Sequence, residues 1–259
     1  MIIAAGVLLG SLAMAQVGNV SNTKHNFAIG GGSGVYQSTT ISQVCIFCHT
    51  PHNAGQSRML WNKATNGNTI FKMYSSSSLT NATRAAMKVG LAADSPSLLC
   101  LGCHDGKTAM NVLHSVQGGV AAPGYGAGAQ YIATGATGFA ALTMPGPLYD
   151  FFGNISPSMN LGRAADGSND TLGTNLTDDH PIGFSYTAAQ TETPARLNSI
   201  ALIKGNVNTS NIKFFGATNK VECTSCHDPH IDNMAYPLQT PFLVMSNGGS
   251  KLCLACHNK

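Results

Sequence analysis

The stretch Cys223-Thr224-Ser225-Cys226-His227-Asp228-Pro229-His230 decides how this chain folds, because its core pattern recurs. Cys45-Ile46-Phe47-Cys48-His49, Cys100-Leu101-Gly102-Cys103-His104 and Cys253-Leu254-Ala255-Cys256-His257 repeat it, and the four copies use all 8 cysteines. Cys-x-x-Cys-His is the attachment signature of c-type haem. Two thiols three positions apart reach the two vinyl groups of one porphyrin, and the histidine that follows lies under the iron as its axial ligand. Disulfides and zinc knuckles also use paired cysteines, but neither requires a histidine at the fifth position. With only 9 histidines in the chain, four such hits by chance have a probability of about 10⁻⁶ for a residue that is normally scattered. The sequence predicts four covalently attached haems, with His49, His104, His227 and His257 as proximal ligands.

Composition agrees with a chain folded around cofactors. Only 10% of the 259 residues are charged, against roughly 25% in ordinary globular domains. Gly, Ala, Ser, Thr and Asn are abundant, and aromatic residues make up 7%. Such a chain buries little apolar side chain, so haem ligation is expected to supply folding free energy and the apo-chain to be unfolded. The formal charge of +3 is no sign of nucleic-acid binding. Each haem adds two propionates, and a ferric core with neutral ligands adds about one positive charge, so the holo-protein is near about −1 oxidised and about −5 reduced. No basic run and no basic-aromatic interleaving occurs.

Residues 2–15 form an uncharged apolar stretch ending in Ala13-Met14-Ala15 before Gln16. Fourteen residues are fewer than the roughly 20 that span a bilayer, so 1–15 is expected to be a signal peptide, with export and no membrane span. Sequons at Asn19, Asn81, Asn154, Asn169, Asn175 and Asn208 permit glycosylation where a host has the machinery.

Residues 16–259 are expected to form one domain of two dihaem modules, about 25–115 and 176–259, joined by a Gly/Ala/Thr-rich haem-free segment. Each module has an upstream histidine (His25, His180), a motif with a further histidine three residues on (His52, His230), and a closing motif. The joining segment carries loop signals at Gly118-Gly119, Gly124-Tyr125-Gly126 and Pro145-Gly146-Pro147. The predicted fold is mostly irregular, with short α-helices at the haem motifs and a minor β-hairpin. Helices are expected over 94–100, where Asp94 or Ser95 caps and Pro96 fits the first turn, over 78–87, and from Ser250 onward. The hairpin is expected from Ile212–Phe215 through Gly216–Asn219 to Val221–Cys223.

Four second ligands are needed if every iron is six-coordinate, and five histidines remain. His52 and His230 lie too close to His49 and His227 to reach the far face of the same iron, and Pro51 and Pro229 turn the chain away. The repeat predicts His52 on the second haem and His230 on the fourth, with His25 and His180 completing the first and third. His114 has no counterpart in the second half and is read as a non-ligand. Ten methionines are read as packing residues, leaving bis-histidine ligation and low potentials at all four irons.

The ordered set Cys45–Ala54, Leu60-Trp61-Asn62, Tyr74–Leu79, Cys100–Gly106, Asp179-His180-Pro181-Ile182 and Val221–His230 resembles the exported multihaem c-type cytochromes with doubled haem motifs. Within them, the chain is most similar to tetrahaem cytochromes that polymerise into extracellular nanowires. The resemblance covers about 25–259, weakly through 107–175. It implies a mostly loop fold built around stacked haems, electron transfer, head-to-tail self-assembly, upstream and downstream redox partners, and an axial histidine that a neighbouring subunit can supply. His25, near the mature N-terminus, is the expected crossing ligand.

Electron transfer without substrate chemistry is the expected function, because an enzyme needs an iron with an open position and the histidines here suffice to close all four. The expected site is the cell surface or the extracellular space. A discrete soluble periplasmic shuttle is the alternative, but a shuttle ordinarily carries more surface charge. A multihaem reductase is the third reading.

Overall fold

The computed structural model describes residues 19–31, 41–52, 60–63, 70–104, 112–115, 120–121, 130–131, 175–232, 239 and 242–258. The apolar stretch 2–15, most of the Gly-rich joining segment, and the sequons at Asn154 and Asn169 lie outside the described residues.

Regular structure among the described residues is short and separated by loops. Helix α1 is Asn81–Val89 and α2 is Ser97–His104. Strands β1 (Val112–Leu113), β2 (Val120–Ala121) and β3 (Gln130–Tyr131) form an antiparallel sheet of order β1-β3-β2. Then come β4 (Phe184–Ser185), α3 (Tyr186–Glu192), α4 (Ile200–Gly205), β5 (Lys220–Val221), the single turn α5 (Cys223–Cys226) and α6 (Lys251–Cys256). No described helix is long and apolar enough to cross a membrane.

Helix α1 starts later than the sequence suggested. Ser76 Oγ accepts from Ser78 N–H and holds that segment in a turn. Thr80 Oγ1 accepts from Thr83 N–H, and the Glu192 carboxylate accepts from the Asn81 and Ala82 N–H groups at 2.7 Å each. A carboxylate there satisfies orphan donors and complements the helix dipole. Gly90, at φ +83, ends the helix. Ser250 does not cap α6: it sits in the left-handed region at φ 61 with no capping bond. The expected hairpin reduces to one bridge, Phe215 with Lys220, across the turn Gly216–Asn219. The main partner of β5 is β4, pairing Phe184 with Val221 and Ser185 with Lys220. A strand has two edges, and the sequence pattern exposed only the local partner. The joining segment, read as loop chemistry, contributes β2 and β3, and β3 pairs with β1 at the end of the first module.

The two halves share one apolar cluster. Met73, Met87 and Leu101 from the first half pack with Phe184, Tyr186, Ile203, Ile212, Val221 and Leu252 from the second. Helix α1 lies against β4 and α3, and α2 against α5. Asn22 Nδ2 donates to Asp232 Oδ2 at 3.0 Å, carrying the N-terminal segment onto the second half.

Candidate haem-binding site

Each motif is wound on a helical turn. Motif 1 starts on the 3₁₀ turn Cys45–Phe47, motif 2 ends α2, motif 3 is α5 and motif 4 ends α6. In a helical turn, positions i, i+3 and i+4 share a face, so the two sulfurs and the imidazole leave on one side. The histidine N–H returns to the first cysteine's carbonyl in motif 1 (2.7 Å), motif 3 (3.0 Å) and motif 4 (2.8 Å). Residues between the cysteines anchor the opposite face: Phe47, Leu101, Ser225 and Ala255 are all buried.

Imidazoles then meet two by two. His49 stands opposite His230 with ring centroids 6.3 Å apart, His104 opposite His25 at 6.2 Å, and His257 opposite His180 at 6.3 Å. A metal–imidazole bond of about 2.0 Å, with the ring centre roughly 1.1 Å beyond the nitrogen, sets two axial imidazoles about 6.2–6.3 Å apart across one ion. The three pairs fit one iron each.

The rear nitrogens are arranged to suit. His180 Nδ1 lies 2.8 Å from the Pro181 carbonyl and His230 Nδ1 2.8 Å from Asp228 Oδ1. Such bonds place the proton on Nδ1 and leave Nε2 as the lone-pair donor that a metal takes. Asp228 also pairs with Lys213 at 3.4 Å. The bond to His230 holds the Asp228 carboxyl far below its ordinary range and raises His230. His25 packs against Phe27 and Phe242. Burial, reinforced by His104 and His230, pushes its imidazolium down to about 4, so it is neutral, the form that ligates iron. Burial, and then His230, lowers His49 as well.

Cysteines of successive motifs are neighbours. Burial and then Cys103 push the Cys48 thiol up to about 12, linking motifs 1 and 2. Cys100 donates towards Cys223, pushing its own thiol up and that of Cys223 down, linking motifs 2 and 3. Burial and then Cys256 push Cys226 up to about 12, linking motifs 3 and 4. None of the eight cysteines forms a disulfide.

The pairing differs from the one the repeat suggested. His25 faces motif 2 in place of motif 1, His230 faces motif 1 in place of motif 4, and His180 faces motif 4 in place of motif 3. His104–His25 and His257–His180 stay inside their own modules but join a different motif from the one the repeat assigns, and only His49–His230 crosses between modules. His25 stands against His104 of its own chain. His52 is exposed. His114 follows β1, its N–H donates to the Asn62 carbonyl at 2.7 Å, and its buried Nδ1 has no partner. The sequence reading gave no role to Glu222, a fully buried carboxylate beside motif 3, or to Asp228. The only available signal was their position next to haem ligands and thioether cysteines.

A family model, the doubled CXXCH motif, matches residues 216–259. That match indicates a c-type-cytochrome-like multihaem family. Motifs 3 and 4 lie inside the matched residues, and motifs 1 and 2 repeat the same signature outside them. No curated protein matches the chain. The Cys-x-x-Cys-His motifs imply covalently bound haem c, and over residues 216–259 the chain is similar to multihaem proteins with doubled CXXCH motifs.

Proposed function

We propose that the chain is a tetrahaem electron carrier in which every iron is closed by two imidazoles. The observation that carries this reading is the trio of histidine pairs at 6.2–6.3 Å, each joining a motif histidine to a remote one. The ligand pairs are then His49 with His230, His104 with His25, and His257 with His180. For His227 of motif 3 the remaining histidines are His52 and His114, of which His52 is the one the repeat assigns to a haem. Bound haem supplies a one-electron ferric/ferrous couple. The protein's own contribution is to hold neutral imidazoles on both faces, keep water from the iron, and set successive attachment cysteines side by side. With both axial positions filled, no substrate reaches iron and the protein is not an enzyme.

The test is haem stoichiometry together with the visible spectrum. Four haems per chain, all low-spin and unreactive with carbon monoxide, is the expected result. His25→Ala, His180→Ala, His230→Ala and His52→Ala each should yield one high-spin, carbon-monoxide-binding haem, whereas His114→Ala should yield none. A high-spin signal from His114→Ala would transfer the motif 3 assignment to it.

The same reading extends to an exported subunit that assembles head to tail into an extracellular conducting filament and exchanges electrons with redox partners at its ends. Low charge and the exposure of Cys253 and His257 on motif 4 support it, since an exposed terminal haem can meet the first haem of another copy. Electron micrographs of purified material should show filaments. Single-subunit particles would favour the periplasmic shuttle and leave the haem assignments intact.

A further inference from the structure

We propose that Glu222 is a potential-setting residue, a buried negative charge that favours the ferric state of the haems carried by motifs 2 and 3. The proposal rests on the tetrahaem reading above. Glu222 is 1% exposed. Its Oε2 accepts hydrogen bonds from Ser95 Oγ and Ser97 Oγ, both at 2.6 Å, the length of hydroxyl bonds to an ionised oxygen. Its Oε1 is buried with no hydrogen-bond partner. Among the described residues, Lys and His ion pairs form on Asp228, and none forms on Glu222.

A buried carboxylate without a cationic partner is costly, so its surroundings need a positive charge. The position supplies one. Glu222 precedes Cys223, Ser97 lies three residues before Cys100, and Ser97 Oγ also accepts from Cys223 N–H at 3.0 Å. The carboxylate therefore sits where the attachment points of two haems meet, and a ferric core with neutral imidazoles carries about one positive charge that is lost on reduction. Negative charge in a low-dielectric site lowers the potential of the nearest irons.

Glu222→Gln keeps the volume and an acceptor for the serines while removing the charge. In the holo-protein, spectroelectrochemical titration should show one or two of the four midpoints shifted upward, with all haems still low-spin. Ser95→Ala with Ser97→Ala keeps the charge and removes its two donors, so the same midpoints should move downward. A purely structural clamp would not give shifts of opposite sign. Four low-spin haems with midpoints unmoved in Glu222→Gln would overturn the proposal and leave the tetrahaem reading standing. A wild-type haem count other than four, or high-spin wild-type haem, would sink that reading instead. If Glu222→Gln yields no holo-protein, unmoved midpoints in the double serine variant overturn the proposal.

Discussion

Asp228 shows how much one side chain can decide at a proposed axial ligand. Its Oδ1 lies 2.8 Å from His230 Nδ1 and it accepts from the His230 N–H at 3.1 Å, so it fixes both ring and backbone of that histidine. A carboxylate behind an imidazole raises its basicity and strengthens its donation to metal. Asp228→Asn should therefore raise the potential of the haem on motif 1, the one His230 faces, while leaving it low-spin. Potentiometric titration checks this, and a shift confined to another haem would contradict the His49–His230 pairing. The global stability cost should be small, because Asp228 and His230 side chains remain 27% and 56% exposed and such pairs contribute about 0–1 kcal/mol.

Among the elements, α1 carries no cysteine yet positions the half that binds motif 4. Its N-terminus is capped from 110 residues away by Glu192 at the end of α3, and its body packs on β4 and α3. Glu192→Ala should cost about 0.5–1 kcal/mol by loss of the cap, read as a lowered melting temperature with haem spectra unchanged. Gly183, just before β4, is at φ +77, and a Cβ there would meet Leu91 Cδ2 at 2.8 Å. The end of the Leu91 side chain can swing aside, so the cost of Gly183→Ala comes from the positive φ and should be about 1–3 kcal/mol, more than the Glu192 variant in the same denaturation experiment. Equal stability of Gly183→Ala and wild type would mean the β4 entry is not held as described. Tyr186 connects this region to motif 4: its hydroxyl donates to the Asn198 and Cys256 carbonyls at 2.8 and 3.1 Å.

For the whole molecule, the shared apolar cluster joins both halves, but it is modest for a chain of this length, and the four motifs hang around it. Ligation would then stitch the fold, since His49–His230 joins the two halves across about 180 residues of sequence while the other two pairs close loops of about 80 residues inside each half, and closing such loops restricts the unfolded chain. Protein made without haem attachment should give the circular dichroism of a largely unfolded chain, and haem loading should restore a cooperative transition. A cooperatively melting apo-protein would show that the side-chain cluster suffices alone. Replacing both cysteines of motif 2 should cost more than replacing those of motif 4, because motif 2 has neighbours on two sides and motif 4 on one.

What the sequence determined by itself was chemistry fixed by local spacing. Cys-x-x-Cys-His places two thiols and an imidazole on one helical face wherever the turn forms, so the haem signature, the short helices at motifs 2 and 4 and the scarcity of regular structure were legible residue by residue. The proximal histidines followed from adjacency alone. Which remote histidine faces which motif was not legible, because the repeat matches each histidine to a motif by order along the chain, whereas packing sets His25 at motif 2 and His180 at motif 4 and carries His230 across to the other module. Glu222 was equally silent: a glutamate before a cysteine is ordinary in one dimension. It became notable only when tertiary packing brought Ser95 and Ser97, more than 120 residues away, onto its carboxylate and shut out water. Ligand partners and buried charges are long-range facts, set by where chain segments meet.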